Sequence, residues 1–189
     1  MEATPATFEE IYEAHFRLVW RTLGRLGVRE ADLLDMTQNV FIIVHRQVAG
    51  FEGRAKLTTW LISICRLVAK DYFRSAPIRR EVLVEIRDLA RRAGPDHPFD
   101  WIGRKELSHI LEVILAQMPE KLRVAFVMFE LEELSGEEIA RLLDLPVGTV
   151  RSRLRLARAI FEREVRLLHD EAPDGCAIAK VRLPSLGEA

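Results

Sequence analysis

The stretch Ser135–Arg158, SGEEIARLLDLPVGTVRSRLRLAR, reads as two short helices joined by a tight turn. Ser135 followed three residues later by Glu138 is a capping box, in which each residue satisfies a backbone donor that a new helix leaves orphaned. Leu134 and Ile139 stand where a hydrophobic staple closes over that start. The helix is expected to run through Leu143 and to stop near Asp144, because Pro146 suits the opening of a helix and not its interior. In the second helix Val147, Val150, Leu154 and Ala157 share one face, which turns Thr149, Arg151, Ser152 and Arg155 away from the core. Two crossed helices with one outward basic face make a helix-turn-helix, whose second helix is shaped to enter a DNA major groove.

Arginine on a helix surface is often only solvated charge. Here the charge is sorted. From Pro146 to Leu168, Arg151, Arg153, Arg155, Arg158, Arg163 and Arg166 face only Glu162 and Glu164, a net of +4. From Glu120 to Leu145, Lys121, Arg123 and Arg141 face seven carboxylates, a net of −4. A polyanion is drawn to the second helix and repelled by the support behind it.

Outside this stretch the chain continues as helix. Phe8–Gly24 carries Phe8, Ile11, Tyr12, Phe16, Val19, Trp20 and Leu23 at helical steps and is expected to close at the glycine. Residues 30–46 place Leu33, Met36, Val40, Ile43 and Val44 on one side and Asp32, Asp35, Gln38 and Asn39 on the other. After the loop Gly50–Gly53, a third helix over Leu57–Arg74 has Leu57, Leu61, Ile64, Val68 and Tyr72 as its core set. Arg66, Lys70 and Arg74 recur every fourth residue, which aligns them along one basic stripe.

Composition changes at Ser75-Ala76-Pro77, and the breaker cluster Gly94-Pro95-Asp96-His97-Pro98 follows, so 76–104 is expected to be a linker. Helix returns at 105–117 and, after Met118-Pro119, at 120–131. The tail from 169 to 189 has no sustained period and is expected to be frayed or ordered on a partner. The fold class is all-α: a helical domain over 1–75, the linker, and a helix-turn-helix domain over 105–168. Units of this size stand near the lower limit for a self-sufficient core, burying only about 60% of their unfolded surface.

Of the 189 residues 49% are hydrophobic and 30% charged, which is globular composition, and a net charge of −1 leaves any DNA affinity to local patches. Two cysteines, Cys65 in an apolar run and Cys176 in the tail, make neither a disulfide framework nor a paired metal spacing and fit a reducing cytoplasm. The N-terminus MEATPATFEE lacks a signal pattern, and the longest apolar runs fall well short of the ~20 residues that span a bilayer. A soluble cytoplasmic protein without membrane insertion is expected.

Four segments together resemble the small extracytoplasmic-function group of bacterial sigma factors. They are FEEIYEAHFRLVWRTLGRLG (8–27), DLLDMTQNVFIIVHR (32–46), FEGRAKLTTWLISICRLVAKDYFR (51–74) and MPEKLRVAFVMFELEELSGEEIARLLDLPVGTVRSRLRLAR (118–158). Their order and spacing, with the TWL run and PVGTVRSRL, make the likeness specific. The resemblance implies that Asp35, Gln38, Asn39 and Phe41 dock on core RNA polymerase. It implies that Arg54, Lys56, Trp60, Arg66, Lys70 and Arg74 serve opening of the promoter's -10 element and capture of its single strand, where aromatic platforms and a basic track are needed. It further implies that Thr149, Arg151, Ser152, Arg155 and Arg158 read the -35 element. Many relatives carry asparagine where Leu67 stands and arginine where Leu156 stands, so base readout at the first and a phosphate contact at the second are not expected. Promoter DNA, core polymerase and an anti-sigma protein are the implied partners.

Such a protein is not an enzyme and needs no cofactor or metal. The one metal-like pattern, Glu106, His109 and Glu112 on a helix face, reads as solvated surface, and no glycine-rich phosphate loop follows a strand. Two rival readings remain at this level. A dimeric helix-turn-helix regulator explains Ser135–Arg158 but leaves the basic third helix without purpose, and a helical protein-binding adaptor predicts no salt-dependent DNA affinity.

Overall fold

Thr7 and Ser135 open their helices with one and the same device. The Thr7 N–H donates to the Glu10 carboxylate at 2.8 Å while the Glu10 N–H donates to the Thr7 hydroxyl at 3.3 Å. Ser135 and Glu138 repeat the exchange at 2.9 and 3.2 Å. A computed structural model describes residues 7–53, 55–74 and 110–171, with side chains described as far as Leu167. Arg54, the expected linker 76–104, the start of the expected helix at 105 and the expected tail beyond Glu171 lie outside the described residues.

The described chain is helical throughout. Helix α1 (Phe8–Leu26) is followed by a single 3-10 turn and then α2 (Leu33–Gln47), with α3 spanning Leu57–Arg74 as the periodicity predicts. α1 closes at Gly27 and not at Gly24. Gly27 takes φ +100, a left-handed cap that an L side chain resists, and its N–H donates to the Gly24 carbonyl at 2.8 Å. The extra turn brings Leu26 into the core.

The three helices pack around Val19, Leu23, Val40, Val44, Leu61 and Ile64. Truncating a fully buried leucine such as Leu23 to alanine costs about 2–5 kcal/mol by lost transfer and the cavity left behind. The C-terminal end of α3 is tied to the turn before α2: the Tyr72 hydroxyl donates to Asp32 Oδ2 at 2.6 Å, and Arg29 Nε donates to the same oxygen at 2.8 Å.

On the other side of the undescribed segment, α4 (110–116) leads to Pro119, which opens α5 (Glu120–Phe126). α5 does not end cleanly. It widens into a π turn over Val127–Leu131, and Glu133 follows with φ +56. Val127 and Met128 are buried there, while Glu130 and Glu132 are turned toward two different neighbours. α6 (Gly136–Leu143), a turn through Asp144 at φ +52, and the long α7 (Val147–Glu171) complete the helix-turn-helix.

Ile139, Ala140, Val150 and Leu154 form the apolar seam between α6 and α7, as their spacing predicts. That seam also takes in Ile62 from α3, and the N-terminal core continues into Ile114, Leu115, Phe126, Ala157 and Val165. The two groups of helices therefore share apolar surface.

Candidate nucleic-acid interface

α7 begins at the carbonyl of Pro146, which accepts from the Thr149 N–H at 2.9 Å. Burial of Val150, Leu154 and Ala157 fixes the helix rotation, and the opposite face follows from it. Arg151, Ser152 and Arg155 are exposed on that face and Thr149 is half-buried beside them. Leu156 is 49% exposed on the same side, an apolar element in a polar row. Arg158 is different. Its Nε donates to Glu130 Oε1 at 2.7 Å and its guanidinium lies 5.4 Å from the Phe129 ring centre, so it braces α7 against the π turn.

α6 lies behind this face with its acidic first turn. The Glu138 carboxylate is held below its usual range, first by the Ser135 N–H and then by the Ser135 hydroxyl.

α3 presents a divided surface. Lys70 and Arg74 are exposed; Arg74 has only a 3.8 Å approach to the equally exposed Asp71, an interaction of little worth in water. Leu67, 46% exposed, stands between them and Ser63. Arg66 does not complete an open stripe. It is half-buried, its Nε has no hydrogen-bond partner, and burial lowers its pKa.

Trp60 is half-buried against Phe51, the ring centres 4.9 Å apart. Together with Gly50, Glu52, Ala55, Thr59 and Ser63 these rings line an open hollow of about 380 Å³. Phe51 was legible only as a loop residue, because its value lies in the ring it meets nine positions later. Lys56 is exposed at the rim.

On α2, Asp35, Gln38 and Asn39 are exposed in a row. Phe41 is not part of that face. At 3% exposure it packs with Phe8, Tyr12 and Phe16 and belongs to the core between α1 and α2. Asp32, expected on the polar face, is engaged with Arg29 and Tyr72. Among the described residues no group of three His, Cys, Asp or Glu side chains gathers as a metal site requires, and two members of the Glu106, His109 and Glu112 pattern lie outside them. Cys65 is buried, and burial pushes its thiol pKa up. No helix among the described residues is long and apolar enough to cross a membrane.

A helix-turn-helix and one basic helix beside an aromatic hollow make a surface suited to nucleic acid. Residues 11–77 match the family Sigma-70 region 2, and residues 108–160 match Sigma-70, region 4. The chain is 33% identical over 154 residues to the ECF RNA polymerase sigma-E factor of Haemophilus influenzae, covering 75% of this chain and 78% of the relative. Its identity to the protein of the same name from Escherichia coli K12 is 33% over 148 residues, at the same coverages.

The fold matches that of CnrH, solved in complex with the cytosolic domain of CnrY, at a TM-score of 0.60 and 21% identity, covering 87% of this chain and 89% of that one. It also matches the sigma factor RpoE of Bartonella quintana, solved with the anti-sigma factor NepR, at a TM-score of 0.62 and 18% identity, covering 85% and 97%. The chain belongs to the extracytoplasmic-function sigma factors, the non-catalytic subunits through which bacterial RNA polymerase recognises promoters. Family membership sets aside the dimeric regulator and the adaptor.

Proposed function

We propose that α7 reads the -35 element in the major groove, with Arg151 and Arg155 on phosphates or base edges and Thr149 and Ser152 beside them. The exposed row Arg151, Ser152 and Arg155, set in front of an acidic support, is the observation that carries this reading. Arg158 acts one step back, holding α7 to the π turn through Glu130.

The hollow between Phe51 and Trp60 suits one unstacked base of the -10 strand, since base and ring stack face to face and every base has such a face. Lys56, Lys70 and Arg74 follow the phosphates, and Arg66 joins them when its guanidinium is free. Binding energy for the separated strand then opens the duplex without chemistry by this subunit. Asp35, Gln38 and Asn39 carry core polymerase on α2. The solved relatives are held by CnrY and NepR, and this chain is expected to answer to a protein inhibitor of its own in the cytoplasm.

Reconstituted transcription tests the assignment. Core polymerase with this protein initiates at a defined promoter, and Lys70→Ala weakens open-complex formation across promoter sequences while lowering the salt slope by about 1. Failure of the protein to co-purify with core polymerase at low salt overturns it.

A further inference from the structure

We propose that Leu156 selects thymine: in the promoter element read by α7 it takes the 5-methyl group of one thymine in the major groove, where an arginine would call for guanine. This inference rests on the assignment of α7 to the -35 element and adds to it the base that one side chain specifies.

An exposed leucine decides nothing by its exposure alone. Leu156 is set apart by its place. It is 49% exposed and belongs to neither apolar cluster of the described residues, so neither core depends on it. Burial of Val150, Leu154 and Ala157 turns it outward, as it turns Arg151, Ser152 and Arg155. Thr149, Ser152 and Leu156 follow at i, i+3 and i+7 and stand in one line along the helix. Arg151 and Arg155, four apart, run beside that line.

The face around Leu156 is shallow. Gly148, Ser152 and Ala159 are exposed along its middle and set little between the helix backbone and a groove floor. Gly148 has no left-handed φ, and a Cβ on it would meet nothing within 4 Å, so the packing of the chain does not call for a glycine there. A bare backbone does let the helix approach closely. A side chain as short as leucine then reaches the base edges. Ser152 and Leu156 are about 6 Å apart along the axis at about 1.5 Å per residue, close to two base-pair steps of about 3.4 Å.

In the major groove adenine, guanine and cytosine present hydrogen-bonding groups without a methyl, and thymine adds one. Leu156 has neither donor nor acceptor. Against the first three bases it strips water from polar atoms and returns nothing. Against thymine it buries apolar surface on apolar surface. Arg151 and Arg155 hold the duplex by its phosphates, so attraction does not depend on the leucine while the choice of base does.

The experiment uses polymerase holoenzyme assembled with the full chain and a duplex library randomised across both promoter elements. Each thymine of the selected upstream block is then replaced by deoxyuridine, which deletes only the methyl group. One upstream thymine is expected at which deoxyuridine weakens binding about fourfold, the worth of one buried methyl group. Leu156→Ala is expected to bind thymine and deoxyuridine alike at that position, and Leu156→Met, which stays apolar, to keep the preference. Leu156→Arg is expected to move the selected base to guanine, whose O6 and N7 an arginine meets together. Equal binding of thymine and deoxyuridine at every upstream position, or a methyl preference that persists in Leu156→Ala, overturns the proposal. Absence of an upstream block from the selection, or an Arg151→Ala variant that binds that block as the parent does, places the failure in the assignment of α7, and the choice of thymine falls with it.

Discussion

The two faces proposed to meet DNA differ in exposure. On α7 the row Arg151, Ser152 and Arg155 stands in solvent, fixed by the apolar seam behind it. On α3 the corresponding surface is half covered, with Arg66 Nε and Thr59 Oγ1 buried and without hydrogen-bond partners. Unmet polar atoms cost free energy for as long as they stay buried. One face therefore stands open, the ready one, and the other is partly covered.

The largest effect is expected on the ready face. Arg151→Ala should cost initiation about 1–3 kcal/mol, or about 5- to 150-fold, measured as abortive transcript at limiting protein. The same loss should appear in binding of the full chain to a -35 duplex without polymerase. Lys70→Ala should show its effect mainly in the open complex. Equal losses for the two variants in free-chain duplex binding would erase the contrast between the faces.

Next comes the frame under α3. Asp32 is held below the usual carboxylate range, first by the Tyr72 hydroxyl and then by Arg29. Its folded-state pKa is the lower one, so the stability it contributes is complete above the unfolded value near 4 and is lost as pH falls through the folded value. Asp32→Asn should cost about 1–2 kcal/mol at pH 7 in urea unfolding, and the gap between parent and variant should close toward acid. A gap that is constant from pH 7 to pH 2 would remove Asp32 as the cause.

Helix extents and cores on both faces were legible in the sequence because they rest on local periods and caps. α3 covers the expected Leu57–Arg74, and Ser135 with Glu138 caps α6 as read. What was not legible depends on partners far away in the chain. Phe41 could not be told from an exposed contact until α1 laid Phe8, Tyr12 and Phe16 against it. Arg158 looked like one more phosphate ligand until the π turn delivered Glu130, 28 residues earlier. The π turn leaves no residue pattern of its own, since it is set by the packing of Val127 and Met128. Arg66 shares its spacing with Lys70 and Arg74 and differs in being half-buried, which spacing alone does not reveal.

A smaller effect separates the two caps. Ser135→Ala removes the acceptor for the Glu138 N–H and should cost about 1 kcal/mol. It should also weaken duplex binding by α7, because α6 is the floor on which that helix stands. Thr7→Ala should cost a similar amount in thermal unfolding while leaving duplex binding unchanged. Loss of duplex binding in both would mean that stability alone, and not the seating of α7, is being read.

The smallest expected effect lies in the turn between α6 and α7. Asp144 holds φ +52, a left-handed conformation that glycine takes freely and that other L residues enter at a cost. Aspartate is among the residues that tolerate it, and glycine gives back part of the gain by loosening the unfolded chain. Asp144→Gly should therefore stabilise by only about 0.5 kcal/mol. The substitution also removes an exposed negative charge one short turn from the start of α7. Both consequences favour DNA, so duplex binding should tighten slightly, and more at low salt than at high salt. Asp144→Asn separates them, because it keeps a residue at ease in this conformation and removes only the charge. If Asn matches Gly in binding but not in stability, the turn contributes charge to the ready face and geometry to the fold. If neither variant changes binding, the acidic support behind α7 does nothing to steer DNA, and the sorting of charge along the chain serves folding alone.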